Sequence, residues 1–136
     1  MRIFHSPQSD PTLLDSGAGL RRLHEALLAF LSSAAVELEL PAQQDGSPAP
    51  YAAFLPGLRV RKSTGPIALG QSPEGWLILE GSVENIRRYT SYFHFPPEQE
   101  SGHHHPENCN VPGYLSASSM NLIIEANPAW GEESAA

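Results

Sequence analysis

Cysteine and long apolar runs are both scarce in this chain of 136 residues, and each scarcity excludes a class of protein. Cys109 is the single cysteine, so an intrachain disulfide is impossible and a reducing compartment is favoured. The longest apolar stretches, such as residues 26–31, are far too short to span a bilayer. The first residues also lack the apolar segment of a signal peptide, so we expect a cytoplasmic protein.

Basic residues are scarce as well, since 8 Lys and Arg face 15 Asp and Glu and leave a formal net charge of -7. Nucleic acids and anionic membranes bind basic surfaces, so neither partner is expected. An acidic surface instead favours rapid association with a basic protein. Gly65, Gly70 and Gly75 match no phosphate-binding pattern, and no cofactor is expected.

Two segments have apolar residues at helical spacing, each after a serine that can cap a helix. They predict helices over residues 19–32 and 82–95, with Asp15 or Ser16 as the N-cap of the first and Ser82 as the N-cap of the second. Glu80 and Glu84 lie near the start of the second helix, where the helix dipole favours an acid.

Alternation of apolar and charged residues predicts strands over residues 36–40 and 58–62. Glu37 and Glu39 face outward on the first strand, and Arg59 and Arg61 face outward on the second. Opposite charges of this kind pair across neighbouring strands. Further strands are predicted over residues 2–6, 76–80, 102–105 and 120–125, with loops over residues 41–56 and 63–75.

The order strand–helix–strand–strand occurs twice, over about residues 1–63 and 76–126, before a polar tail over residues 127–136. Leu20-Arg21-Arg22-Leu23 matches Ile86-Arg87-Arg88-Tyr89, and the same register aligns Glu37 and Glu39 with His103 and His105. We therefore predict one α+β domain over residues 1–136. Its two β-α-β-β half-repeats would form one mainly antiparallel sheet with both helices packed on one face.

Three consecutive histidines, His103-His104-His105, have Glu107 and Cys109 close by in the sequence. On a strand His103 and His105 share one face, and this spacing can bind a metal ion. No second cysteine and no helical histidine pair completes a zinc motif, so the preferred interpretation is an exposed strand without metal. A metal-dependent enzyme that uses His103 and His105 stays open as an alternative.

Catalysis by a cysteine nucleophile would need Cys109 beside a histidine base and an oxyanion site. No glycine-rich oxyanion turn is evident, and Cys109 lies in a loop rich in Pro and Asn. No catalytic residue is therefore predicted, and we expect a binding protein rather than an enzyme. A small-ligand-binding accessory subunit, with a cleft between the two halves, is a further alternative.

The second half reads strand, Gly81-Ser82-x-Glu84-Asn85-Ile86, helix, His103-x-His105, loop, Ser118-Ser119 and Leu122-Ile123-Ile124. Over about residues 76–126 this order resembles the immunity protein thirty-two family of bacterial polymorphic toxin systems. The resemblance implies a small acidic protein that neutralises a cognate toxin by direct binding. In the first half Glu37-x-Glu39 stands where the family pattern has the histidines.

The predicted partner-binding patch combines the outward strand residues with a neighbouring acidic loop. Acids in such a patch accelerate association with a basic toxin, and an aromatic residue can anchor the complex. The predicted members are Glu37, Glu39, Glu98, Glu100, His103, His105, Glu107 and Tyr114.

Overall fold

The computed structural model describes residues 1–129, which form an α+β fold, as the sequence predicts. The first half comprises strands β1 (Arg2–His5) and β2 (Thr12–Asp15), helix α1 (Gly17–Leu31), and strands β3 (Glu37–Pro41), β4 (Ala53–Phe54) and β5 (Gly57–Lys62). The second comprises strands β6 (Ala68–Gln71) and β7 (Leu77–Gly81), helix α2 (Val83–Thr90), and strands β8 (Gly102–His104) and β9 (Ile123–Ala126). Two 3₁₀ turns, Ser91–Phe93 and Pro106–Asn108, follow α2 and β8.

Both helices begin where a serine caps them. The Ser16 hydroxyl accepts a hydrogen bond from the Gly19 N–H at 3.0 Å, and the Ser82 hydroxyl accepts one from the Asn85 N–H at 3.1 Å. Each cap satisfies a donor that the first helical turn leaves without an intrahelical partner. Helix α2 is shorter than predicted, because its last turn tightens into the 3₁₀ geometry of Ser91–Phe93.

The substitution Ser82→Ala removes the cap of α2 and is expected to lower the free energy of unfolding by about 0.5–2 kcal/mol. The loss arises because the Asn85 N–H then has no acceptor in the first turn. Urea denaturation of the whole chain measures it, and Ser82→Asp is the matched control, since a carboxylate accepts the same hydrogen bond. Equal losses in both variants would contradict a capping role.

The strands form two mixed sheets, so the expectation of a single sheet is wrong. One sheet has the order β4-β1-β2-β9-β8, and the other has the order β3-β5-β7-β6. Most neighbours are antiparallel, but β2 and β9 run parallel, as do β5 and β7. Both parallel pairs join strands from different halves. The pattern of apolar residues within each strand does not indicate which strand of the other half it pairs with.

Each half also contributes a strand that the sequence did not predict. β2 pairs with β1 before α1, and β6 pairs with β7 before α2, so each helix follows two paired strands rather than one. Leu38 on β3 lies opposite Val60 on β5, and His104 on β8 lies opposite Ile124 on β9. Superposition of the complete halves stays a prediction.

One hydrophobic core joins both sheets and both helices. Helices α1 and α2 contact each other, and α1 also contacts β2 while α2 contacts β7. The core includes Leu20 and Leu27 of α1, Ile86 of α2, and Leu79 and Ile124 of the two sheets, each with no exposed surface. The predicted apolar stripes of both helices therefore lie in the interior. Among residues 1–129 no helix is both long enough and apolar enough to cross a membrane.

Candidate functional site

The outer face of the sheet β3-β5-β7-β6 carries charged residues in register. Because successive side chains on a strand alternate between faces, the burial of Leu58, Val60 and Leu79 directs their neighbours outward. Cross-strand register then sets Glu37 beside Arg61 and Arg61 beside Glu80. We call this surface the charged sheet face and define it as Glu37, Glu39, Arg59, Arg61 and Glu80.

Ion pairs connect three strands across the charged sheet face. The Arg61 Nε lies 2.9 Å from a carboxylate oxygen of Glu37, and its Nη1 lies 3.4 Å from one of Glu80. The Arg59 Nε lies 3.0 Å from a carboxylate oxygen of Glu39. These contacts confirm the predicted pairing between the two glutamates and the two arginines, and they join Glu37 to Arg61 and Glu39 to Arg59. They hold the charges in fixed positions, although exposed pairs add little to stability.

A shallow depression of about 560 Å³ lies beside these ion pairs, above β6 and β7. Gly70 provides open space there, because a methyl group at this position would meet no heavy atom within 4 Å. The Arg59 guanidinium lies 4.4 Å from the centroid of the Trp76 ring, a cation–π distance. Glu74 lines the rim with Arg59, so the face and its rim hold four carboxylates and two guanidinium groups.

Hydrogen bonds stabilise the ionised forms at this site. The pKa of Arg61 is raised, mainly by its hydrogen bond to Glu37. The pKa of Glu74 is lowered by hydrogen bonds from its own backbone N–H and from Ser72, with Arg59 a smaller cause. Both residues are therefore charged at neutral pH, and the charged sheet face together with its rim carries excess negative charge.

The structure separates the predicted binding patch into distinct regions. Glu37 and Glu39 lie on β3, whereas His103 lies on β8 in the other sheet and His105 follows that strand. Glu98 and Glu100 are exposed, as predicted, in the loop between α2 and β8. The alignment of the two halves matched Glu37 and Glu39 with His103 and His105. In the structure these two pairs of residues belong to different sheets.

Tyr114 does not contact solvent, so its assignment as an aromatic anchor is wrong. Its side chain is fully buried, and its hydroxyl donates a hydrogen bond to the Pro106 carbonyl at 2.9 Å. Burial raises the pKa of the Tyr114 hydroxyl well above its usual value. Glu107 also departs from the predicted exposed acid, because its side chain is only 18% exposed and one carboxylate oxygen is buried without a hydrogen-bond partner.

The three histidines lie close together on β8 and directly after it. The His103 and His105 ring centroids are 5.2 Å apart, and the His105 Nδ1 lies 3.5 Å from a Glu107 carboxylate oxygen. His104 instead stacks on Phe95 at 4.1 Å, with its Nδ1 2.8 Å from the Tyr92 carbonyl oxygen. Within residues 1–129 no group of three or more His, Cys, Asp or Glu side chains could hold a metal ion.

Sequence reasoning missed three contributors to the charged sheet face and its rim. Glu80 ends the predicted strand 76–80 and was interpreted as a partner of the α2 dipole, but its side chain pairs with Arg61 across the sheet. Its charge, directly after the apolar run Leu77-Ile78-Leu79, is the signal that it points outward. Trp76 and Glu74 approach Arg59 through the parallel pairing of β5 with β7, which no sequence pattern indicated.

Comparisons of this chain with protein-family models, with curated proteins and with solved structures found no match. The geometry of the charged sheet face therefore carries the functional argument.

Proposed function

We propose that this protein is a small acidic binding domain that neutralises a cognate bacterial toxin by direct contact. The charged sheet face carries the proposal, because ion pairs fix its carboxylates on a sheet that buries its other face in the core. Excess negative charge on a rigid surface favours fast association with a basic partner. The resemblance of residues 76–126 to the immunity protein thirty-two family supports the same function.

The opposite face of this sheet packs into the hydrophobic core, which leaves the charged sheet face accessible to a partner. Leu58, Val60 and Leu79 have no exposed surface, whereas the Glu37 and Glu39 side chains are 39% and 53% exposed. A binding protein needs such a surface and no catalytic group. The proposed partner is a basic toxin domain, and neither nucleic acid nor a cofactor is required.

The proposal predicts that a toxin gene lies beside the gene of this protein, and the experiment pairs this protein with the product of that gene. Cells that express the toxin domain are expected to grow only when this protein is also expressed, and the two purified proteins are expected to form a complex. Reversing Glu37 and Glu39 to Lys should slow association at least about tenfold at low salt, because both attractive charges become repulsive. The difference should shrink as salt screens the charges.

The matched control reverses the charge of Glu98 and Glu100 to Lys. These are also two exposed carboxylates, but they lie in the loop before β8. This variant carries the same change in net charge, so a smaller effect would assign the interaction to the charged sheet face. If both double variants slow association equally, net charge rather than this face steers the partner. Absence of rescue and of a complex with the wild-type protein would overturn the proposal.

A further inference from the structure

The edge strand β3 has a strand neighbour on one side only within residues 1–129. The hydrogen bonds at its two ends show which residues of β3 bond to β5. The Lys62 N–H donates to the Val36 carbonyl at 2.9 Å, and the Ala42 N–H donates to the Pro56 carbonyl at 2.8 Å. In an antiparallel pair hydrogen-bonded and non-hydrogen-bonded residues alternate, so even-numbered residues of β3 bond to β5.

The odd-numbered residues consequently direct their backbone groups away from β5. Glu37 and Glu39 each present an N–H and a C=O at the free edge, whereas Pro41 presents only its C=O. Beyond this segment the Gln43 N–H already donates to the Met1 carbonyl at 2.9 Å. The open edge is therefore short and is centred on Glu37 and Glu39, two members of the charged sheet face.

Side chains along this edge define the chemistry of a strand that would fit it. Residues opposite Glu37 and Glu39 would have their side chains on the same face, where opposite charges pair favourably. The alternate residues would face Val36, which is 70% exposed, and the half-buried Leu38. A complementary strand therefore alternates basic and apolar residues, as Arg59-Val60-Arg61 of β5 does on the other side of β3.

A second copy of this chain fits the edge poorly. Antiparallel pairing of β3 with β3 of a second copy would place Glu37 of one copy opposite Glu39 of the other. Like charges directly opposite each other are destabilising. Acidic residues on an edge strand thus oppose self-association and leave the edge accessible to a basic strand.

We infer that β3 binds an extended basic–apolar segment of the partner by strand addition, with backbone hydrogen bonds at Glu37 and Glu39. This inference rests on the proposed function, since it specifies how the charged sheet face engages its basic partner. Backbone pairing supplies affinity in such complexes, and alternate side chains supply specificity.

The test uses the full chain and a blocked peptide, Gly-Arg-Val-Arg-Val-Arg-Gly. Peptide binding is expected to protect the Glu37 and Glu39 amides from hydrogen exchange, whereas Leu38 and Leu40 amides are protected already by β5. N-methylation of the arginine amides should weaken binding about fivefold for each hydrogen bond lost. N-methylation of the valine amides is the matched control, because in antiparallel pairing with β3 those groups point away from it.

Protein variants separate charge from backbone pairing. Glu39→Gln removes the charge and keeps the N–H, whereas Glu39→Pro removes both, so Glu39→Pro should bind the peptide about fivefold more weakly than Glu39→Gln. A Glu-Val-Glu peptide of equal length should not bind. Concentration-dependent dimerisation through β3 that excludes the peptide would overturn the inference in favour of a second copy.

The two proposals fail separately. Arginine N-methylation without effect on binding, together with toxin rescue that depends on Glu37 and Glu39, would overturn strand addition and support the proposed function. Loss of toxin rescue by the wild-type protein, with the peptide still protecting the Glu37 and Glu39 amides, would overturn the proposed function and support strand addition.

Discussion

Replacing Leu79 by alanine is expected to lower the free energy of unfolding by about 2–5 kcal/mol. Leu79 lies at the centre of β7, opposite Val60 on β5 and Leu69 on β6. All three side chains are at most 1% exposed, so the substitution leaves a cavity that the rigid sheet cannot close. Chemical denaturation with circular dichroism measures the loss directly.

Ile78→Ala is the matched control on the same strand. The sequence favours Ile78 as a core residue, because the run from Trp76 to Leu79 is continuously apolar. The structure places Ile78 half-exposed on the outer face of the sheet, between Arg59 and Gly70. Its truncation should therefore cost clearly less than that of Leu79, and equal losses would contradict the assignment of faces on β7.

Local patterns predicted the elements whose side chains alternate or repeat over several residues. Strands β3 and β5 were predicted because charged and apolar residues alternate, and that alternation also predicted that the glutamates of β3 pair with the arginines of β5, as they do. Ser82 and the pair Asp15 and Ser16 were candidate caps because a short polar side chain precedes an apolar helical stripe, and the structure shows Ser82 and Ser16 in that role. These predictions depend on neighbours in the sequence, and they hold in the structure.

Features that depend on distant partners were not predictable in the same way. β6 was assigned to a loop because turn signals at Gly65-Pro66 and Pro73-Glu74-Gly75 flank it, and it becomes a strand by pairing with β7. Two sheets form instead of one because β2 pairs with β9 and β5 pairs with β7. For the site, alternation placed Glu37, Glu39, Arg59 and Arg61 together, but the burial of Tyr114 depends on tertiary contacts.

Gly57→Ala is expected to destabilise the fold by about 1–3 kcal/mol, because the added methyl group has no space. A Cβ at this position would lie 2.5 Å from the Leu40 carbonyl oxygen and would also overlap the Trp76 ring. Relief requires both that β3 separates from β5 and that Trp76 moves, and Trp76 supports the Arg59 guanidinium. The substitution should therefore also weaken binding at the charged sheet face.

Gly70→Ala controls for the general effect of adding a methyl group to a strand of the same sheet. No heavy atom lies within 4 Å of the added Cβ, so the free energy of unfolding of Gly70→Ala should stay within about 0.5 kcal/mol of that of the wild type. Urea denaturation of both variants gives the comparison, and peptide affinity at β3 provides a second measurement. Wild-type stability in Gly57→Ala would mean that β3 separates from β5 at little cost. In that case the rigid edge on which strand addition depends would not exist.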